Sequence, residues 1–279
     1  MGRVIFRKNY NPPVFRKIAY GTWRTAADPS VYGQVDLDVS LAQRFATEYS
    51  QKNEVKITPT HLVAYALAKC MAERPEINGM LRRGKIYLRE KVAIFFQVNV
   101  PGSTPGDRAA KANLSGTVVH GIETMSLADI ARKLTQNAGE IRAGKDKEFN
   151  KTMDLIRRLP WCMVRWFLNF GTWITYGLNL DLSAFGIPRD PFGSAMITSV
   201  GSMGIDCAWA PLCPYTRVPL LITIGAVRDR PVALDGAVVV RPVMTIGITF
   251  DHRLIDGVHA AEMSRLFKKC FAEPEKYFS

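Results

Sequence analysis

Apolar and polar positions alternate through residues 32–40 (YGQVDLDVS), the period-2 pattern of a strand with one buried face. Residues 58–74 (TPTHLVAYALAKCMAER) switch to a helical period. Thr58 stands at the N-cap, Pro59 at the first helical position, and Leu62, Ala66 and Lys69–Cys70 continue as the inward stripe. Residues 92–100 (VAIFFQVNV) and 114–122 (LSGTVVHGI) read as strands parted by the Pro/Gly stretch PGSTPGD. A surface helix is predicted over 126–145, with Ser126 and Asp129 as a capping box of the aspartate kind. Four β-rich pieces come next, SAMITSVGS, PLLITIGAV, AVVVRP and VMTIGITF, and a helix from about 258 to 271 closes the chain. Helices and strands interleave without a regular βαβ rhythm, and no repeat or linker interrupts them. The pattern predicts an α+β fold around a mixed sheet, in a single domain over 1–279.

One segment breaks the rhythm. Residues 153–182 hold three of the five tryptophans, and after Pro160 an apolar set at Met163, Trp166/Phe167, Phe170 and Trp173/Ile174 keeps helical spacing. Arg158, Arg165, Asn169 and Thr172 fall on the opposite stripe. A spanning helix needs about 20 nearly uncharged residues, which this stretch lacks. It reads as an amphipathic insertion at about 150–192, packing on its own or a neighbouring subunit, lying on a membrane surface, or lining a substrate entrance.

Composition narrows the setting. The net charge of +12 suits an anionic partner such as a phosphate-bearing cofactor or an acidic membrane surface, and equally a solvated basic surface. The basic residues are spread along the chain rather than gathered in a tract, so no nucleic-acid partner is expected. Five cysteines without C-x-x-C spacing argue against a zinc site and a disulfide framework, and point to a reducing cytoplasm. No metal is expected. The N-terminus has no signal-peptide core, and Phe6 stands where a myristoylation motif needs Ser or Thr.

Candidate chemistry lies in TFDHRLIDGVHAAEM, residues 249–263. A histidine where a strand hands over to a tight turn can present its imidazole to a cleft from a fixed backbone. His252 is so placed, with Asp251 and Arg253 on either side and Asp256 four residues on, before a helix. An imidazole with an ordinary pKa of about 6.5 is a ready base toward a thiol, hydroxyl or amine attacking an acyl carbonyl. Gly257 would permit close approach or positive φ. The competing reading makes His252 a satisfied core histidine and Asp256 a helix cap. His259, seven residues on and inside the helix, reads as a packing or surface residue.

The stretch DHRLIDG resembles the D-H-R-x-x-D-G signature of the catalytic domain of dihydrolipoyl acyltransferases, the core subunits of 2-oxoacid dehydrogenase complexes. Its shorter H-x-x-x-D-G is shared with chloramphenicol acetyltransferase. FRKIAYGTW, ITPTHLVAYALAKCMAERPEINGML, MSLADIARKLTQNAGEIRAGK, AMITSVGSMGID and LLITIGAVRDRPV are similar to further family segments in the same order, covering nearly all the chain outside 150–192. The resemblance implies a chloramphenicol acetyltransferase-like two-layer fold, a central mixed sheet flanked by helices, and a homotrimer that can build a cage. It implies coenzyme A or acyl-CoA as co-substrate and acyl transfer to a dihydrolipoyl-type thiol supplied in trans, or to another small nucleophile. A lipoyl-bearing or dehydrogenase-complex partner goes with that chemistry.

By position, His252 becomes the general base and Thr198 the hydroxyl that stabilises the oxyanion, the two meeting across a subunit boundary. Asp256 becomes the residue that holds the turn, with Arg16 its candidate partner and Gly257 and Arg253 in support. Which residues bind coenzyme A is left open. Three departures from the family pattern stand out: no lipoyl or subunit-binding segment, Thr198-Ser199 in place of Ser-Asn, and the Trp-rich insertion. They keep a second expectation in view, a non-catalytic trimeric or cage-forming scaffold. In the tail, Tyr277 and Phe278 read either as a contact between trimers or as a frayed end.

Overall fold

A computed structural model of the chain describes residues 28–100, 113–143, 160–180 and 190–278, together with residue 14. The central sheet has six strands: β1 (Ser30–Asp38), β4 (Ala93–Val100), β5 (Asn113–His120), β6 (Ala195–Ser199), β7 (Leu220–Leu234) and β8 (Ala237–Asp251). Their spatial order is β1-β8-β7-β6-β4-β5. Strand β6 runs parallel to both its neighbours and every other pairing is antiparallel, so the sheet is mixed, as the irregular alternation of elements predicts. A two-stranded hairpin, β2 (Gly79–Arg82) with β3 (Lys85–Leu88), stands apart from it.

One face of the sheet carries the core. Val35, Leu37, Ile94, Phe96, Ile197, Ile222, Ile224 and alternate residues of β8 from Met244 to Phe250 are buried there. Against them lie α1 (Ser40–Asn53), α2 (Pro59–Glu73), α3 (Leu127–Arg142) and α5 (Gly257–Ala272). Helix α2 begins as its local signals require: Pro59 needs no donor, and Thr58 N donates to His61 Nδ1 at 3.2 Å. Ser126 Oγ accepts from Asp129 N at the start of α3 and donates to the Asp129 carboxylate.

The structure departs from the sequence pattern at five places. Helix α1 is not signalled by the pattern, because its inward stripe is Ala42, Phe45, Ala46 and Tyr49 amid polar residues, too weak a period to register. The β2–β3 hairpin turns on Arg83 and Gly84 with φ of 47° and 75°, a primed-type turn without the usual Asn-Gly. The pieces AVVVRP and VMTIGITF are one strand. Pro242 is tolerated within β8 because β1 pairs only as far as Val243, so a missing donor there breaks no bond to β1.

The tail does not fray, and Phe278 is not held out for another copy. After the short helix α6 (Pro274–Tyr277), Phe278 is buried against Phe45, Tyr65 and Phe271, with ring centroids 5.8–5.9 Å away. Lys69 Nζ donates to Tyr277 O at 3.1 Å.

The last departure is α4 (Trp161–Thr172), which continues as a π-turn through Trp173–Gly177. The spacing is helical, but most of the apolar set is not packed against this chain; Phe167 and Ile174 are half-buried, and Arg165 and Asn169 of the polar stripe are exposed. Met163, Trp166, Phe170 and Trp173 are exposed, Trp166 at 78%, while the polar-stripe residue Thr172 is buried. Thr172 Oγ1 donates to Leu168 O and Tyr215 O, replacing the water it loses. Tyr176 is buried beside a bidentate ion pair in which Arg89 Nε and Nη2 lie 3.1 and 3.2 Å from the Asp190 carboxylate. Burial, with the Asp190 charge nearby, pushes the Tyr176 phenol well above its ordinary range. Burial alone would raise Asp190, but attraction to Arg89 outweighs it and the carboxyl titrates below its usual range.

Candidate active site

Strand β8 ends at Asp251, and the chain beyond it is anchored on both sides. Asp251 N donates to Pro219 O at 2.8 Å and His252 N to Pro29 O at 2.9 Å. The Asp251 carbonyl accepts from Leu254 N and Ile255 N, closing the turn, and both of those side chains are buried. The chain thus leaves the sheet, turns through His252 and is pinned again two residues later.

The residues flanking the histidine lock to each other. Arg253 Nε lies 2.9 Å from Asp251 Oδ1 and Nη2 lies 2.6 Å from Oδ2, while Arg253 N also donates to Oδ1. Asp251 is 7% exposed, so this fork is largely shielded from water. His252 is half-buried between the two, with its Nδ1 atom buried.

Asp256 is the N-cap of α5. Its Oδ1 accepts from Val258 N at 3.0 Å and His259 N at 3.1 Å, and lies 2.8 Å from His259 Nδ1. His259, set aside on the sequence, therefore completes the cap. The only local signal for it was its third-residue spacing from Asp256. Arg16, the candidate partner of Asp256, lies outside the described residues. Gly257 is the first residue of α5 without positive φ, and a Cβ there would meet nothing within 4 Å. Neither backbone strain nor close approach explains the glycine.

Thr198 lies on β6, half-buried, on the face of the sheet away from the helices. Its register partners are Thr223 and, one strand further, Gly247. That face is crossed closely by the chain after β6: Ala226 N donates to Ile205 O, Thr223 Oγ1 to Ala208 O, and Trp209 Nε1 to Gly33 O. Gly225 and Gly247 make the crossing feasible, since a Cβ would fall 1.9 Å from Asp206 O and 2.1 Å from Ala208 O respectively.

The same register keeps Thr198 and His252 apart. His252 is five residues beyond Gly247 on β8, and Thr198 is two strands across, which puts their Cα atoms on the order of 20 Å apart at ordinary strand dimensions. One chain does not bring the two together. Among the described residues, no group of three or more His, Cys, Asp or Glu is placed to hold a metal ion.

The family model described as 2-oxoacid dehydrogenases acyltransferase (catalytic domain) matches residues 21–151 and 192–279. The break in the match falls on the Trp-rich segment. The mitochondrial dihydrolipoyllysine-residue succinyltransferase component of the 2-oxoglutarate dehydrogenase complex of Saccharomyces cerevisiae is 23% identical over 90% of this chain and 44% of its own length. Its Schizosaccharomyces pombe counterpart is 26% identical over 90% of this chain and 46% of its own. The chain thus spans about half the length of these relatives. Among solved structures, the Azotobacter vinelandii dihydrolipoamide acetyltransferase superposes with a TM-score of 0.66 at 18% identity, over 98% of this chain and 95% of that one. The cubic core of a pyruvate dehydrogenase multienzyme complex gives the same TM-score at 17% identity, over 98% and 95%. The α+β fold with its mixed sheet is the fold of those cores.

Proposed function

The chain belongs to the family of 2-oxoacid dehydrogenase acyltransferase catalytic domains, and from that premise we propose that it transfers an acyl group between coenzyme A and a thiol of dihydrolipoyl type, or another small nucleophile. His252 acts as the general base, taking the proton of the attacking thiol as sulfur bonds to the acyl carbonyl carbon; the same imidazolium returns it to the departing thiolate. Thr198 Oγ1 donates a hydrogen bond to the charge that develops on the carbonyl oxygen, a role worth roughly 3 kcal/mol where such donors have been removed. Coenzyme A would supply the thioester, and a chain of net charge +12 suits its phosphates.

The observation that carries this reading is the turn itself: His252 is held by Pro29 O and framed by the Asp251–Arg253 fork. The spacing supports it. In the A. vinelandii protein a serine, a histidine and an asparagine four residues later were investigated for roles in the catalytic mechanism; this chain has His252, Asp256 at the same spacing, and Thr198 as a hydroxyl. Because one chain separates Thr198 from His252, the working site in this reading pairs the two from neighbouring copies of a homotrimer, with a cage of trimers as the larger assembly. A lipoyl-bearing dehydrogenase-complex partner and a cytoplasmic setting belong to the same proposal.

Acetyl transfer from acetyl-CoA to free dihydrolipoamide tests it. Replacing His252 with Ala should lower the rate about 10²- to 10⁴-fold, and Thr198→Ala should lower kcat about 10²- to 10³-fold. Equal rates for wild type and His252→Ala would remove the catalytic reading.

A further inference from the structure

We infer that the exposed aromatic face of α4 is a peripheral docking surface for an anionic lipid bilayer. The inference does not depend on the reaction proposed above. Met163, Trp166, Phe170 and Trp173 form one stripe, with relative exposures of 52, 78, 60 and 51%, and the Phe170 and Trp173 rings stack with centroids 6.1 Å apart. Four large apolar side chains in contiguous exposure mark an interaction surface rather than scatter.

The helix cannot rotate to bury the stripe against its own domain, because its C-terminal end is already committed. Thr172 Oγ1 is bonded to Tyr215 O, Arg82 Nε donates to Gly177 O at 3.2 Å, and Tyr176 is buried beside Asp190. These contacts hold the aromatic stripe facing outward.

Charge selects the occupant. Residues 160–180 contain no carboxylate and a single charged side chain, the exposed Arg165. The Arg82–Gly177 bond brings the tip of the β2–β3 hairpin against the end of the π-turn, and there Arg83 and Lys85 are also exposed. The surface is therefore an aromatic stripe flanked by basic groups, with Arg165 exposed further round the helix and the hairpin tip beside its C-terminal end. Two copies joined through this face about a two-fold axis would bring these basic groups together, on a chain of net charge +12. An anionic headgroup layer neutralises them, and tryptophan and phenylalanine settle at the boundary between headgroups and acyl chains. No helix among the described residues is long and apolar enough to cross a membrane, so the geometry is that of a helix lying in the interface plane.

Vesicle flotation of the full chain tests this at low salt, with phosphatidylcholine vesicles against vesicles that also contain phosphatidylglycerol. Wild type should float with the anionic vesicles only. The double variant Trp166→Ala/Phe170→Ala should bind on the order of tenfold more weakly at an unchanged melting temperature, since both side chains are exposed. Arg83→Gln/Lys85→Gln/Arg165→Gln should weaken binding and remove its salt dependence. Failure of wild type to float with anionic vesicles overturns the proposal, as does equal binding by the aromatic double variant. A double variant that changes the mass of the assembly but not its vesicle binding would identify the stripe as a contact between copies, and would overturn it too.

Discussion

Arg253 grips Asp251 across the histidine that separates them, with Nη2 2.6 Å from Oδ2 and Nε 2.9 Å from Oδ1. The fork ties together the residues on either side of His252, and in the proposed reaction Arg253 is expected to act as a positioning residue for that histidine. Arg253→Gln should lower kcat for acetyl transfer about 10- to 100-fold with little change in KM, because a small displacement of a base is costly. Arg253→Lys should recover only part, since an ammonium cannot span both carboxylate oxygens. If the loss came only from unfolding, kcat per folded molecule would be unchanged in both variants.

The Arg89–Asp190 pair lies deep, at 3% and 7% side-chain exposure, and joins the hairpin to the segment that precedes β6. Arg89→Met leaves a carboxylate buried without its counter-ion and should cost about 3–5 kcal/mol in denaturant unfolding. Adding Asp190→Leu should restore most of that loss, because the uncompensated charge is then gone. A double variant as unstable as the single one would show that packing, not charge, sets the cost.

Phe278 fills a pocket of aromatic rings only one residue from the chain end. Phe278→Ala should destabilise the fold by about 3–5 kcal/mol, the range for large-to-small changes in a closed core. Urea unfolding measures it. A loss under about 0.5 kcal/mol, as at a surface position, would contradict the packing described.

Burial pulls the pKa of His61 down to about 4 from 6.5, against a backbone hydrogen bond at Lys56 that opposes the shift. The fold thus prefers the neutral imidazole, which accepts from Thr58 N. Its contribution is fully present above pH 6.5 and is lost as pH falls toward 4, amounting to about 3 kcal/mol at most. His61→Gln keeps a side chain suited to the capping box and removes the titration. Unfolding free energies between pH 7 and 4 should fall less steeply for this variant than for wild type; parallel curves would exclude His61 as the cause.

Much of the fold was legible because its signals are local. Thr58-Pro59 opens α2, Ser126 opens α3 and Asp256 opens α5, each through atoms three or four residues apart. Alternation was enough for β1, β4 and β5. The candidate site was legible for the same reason: Asp251, His252, Arg253 and Asp256 lie within six residues. The misleading signals were also local. Pro242 suggested a break that the pairing of β8 does not contain, and Ala42 and Ala46 gave α1 too faint a stripe.

The amino-acid order by itself determined the turn that carries His252, the caps, and the family resemblance built from ordered motifs. Three features were decided only by packing between distant parts of the chain. Phe278 is buried because α1, α2 and α5 converge on it. The α4 stripe faces outward because Tyr215, Arg82 and the Arg89–Asp190 pair claim the C-terminal end of the helix. Thr198 and His252 are held apart by the register of β6, β7 and β8. Caps and periods act over one helical turn or one pleat, whereas burial and register depend on which surfaces meet across the fold, and no local spacing encodes that.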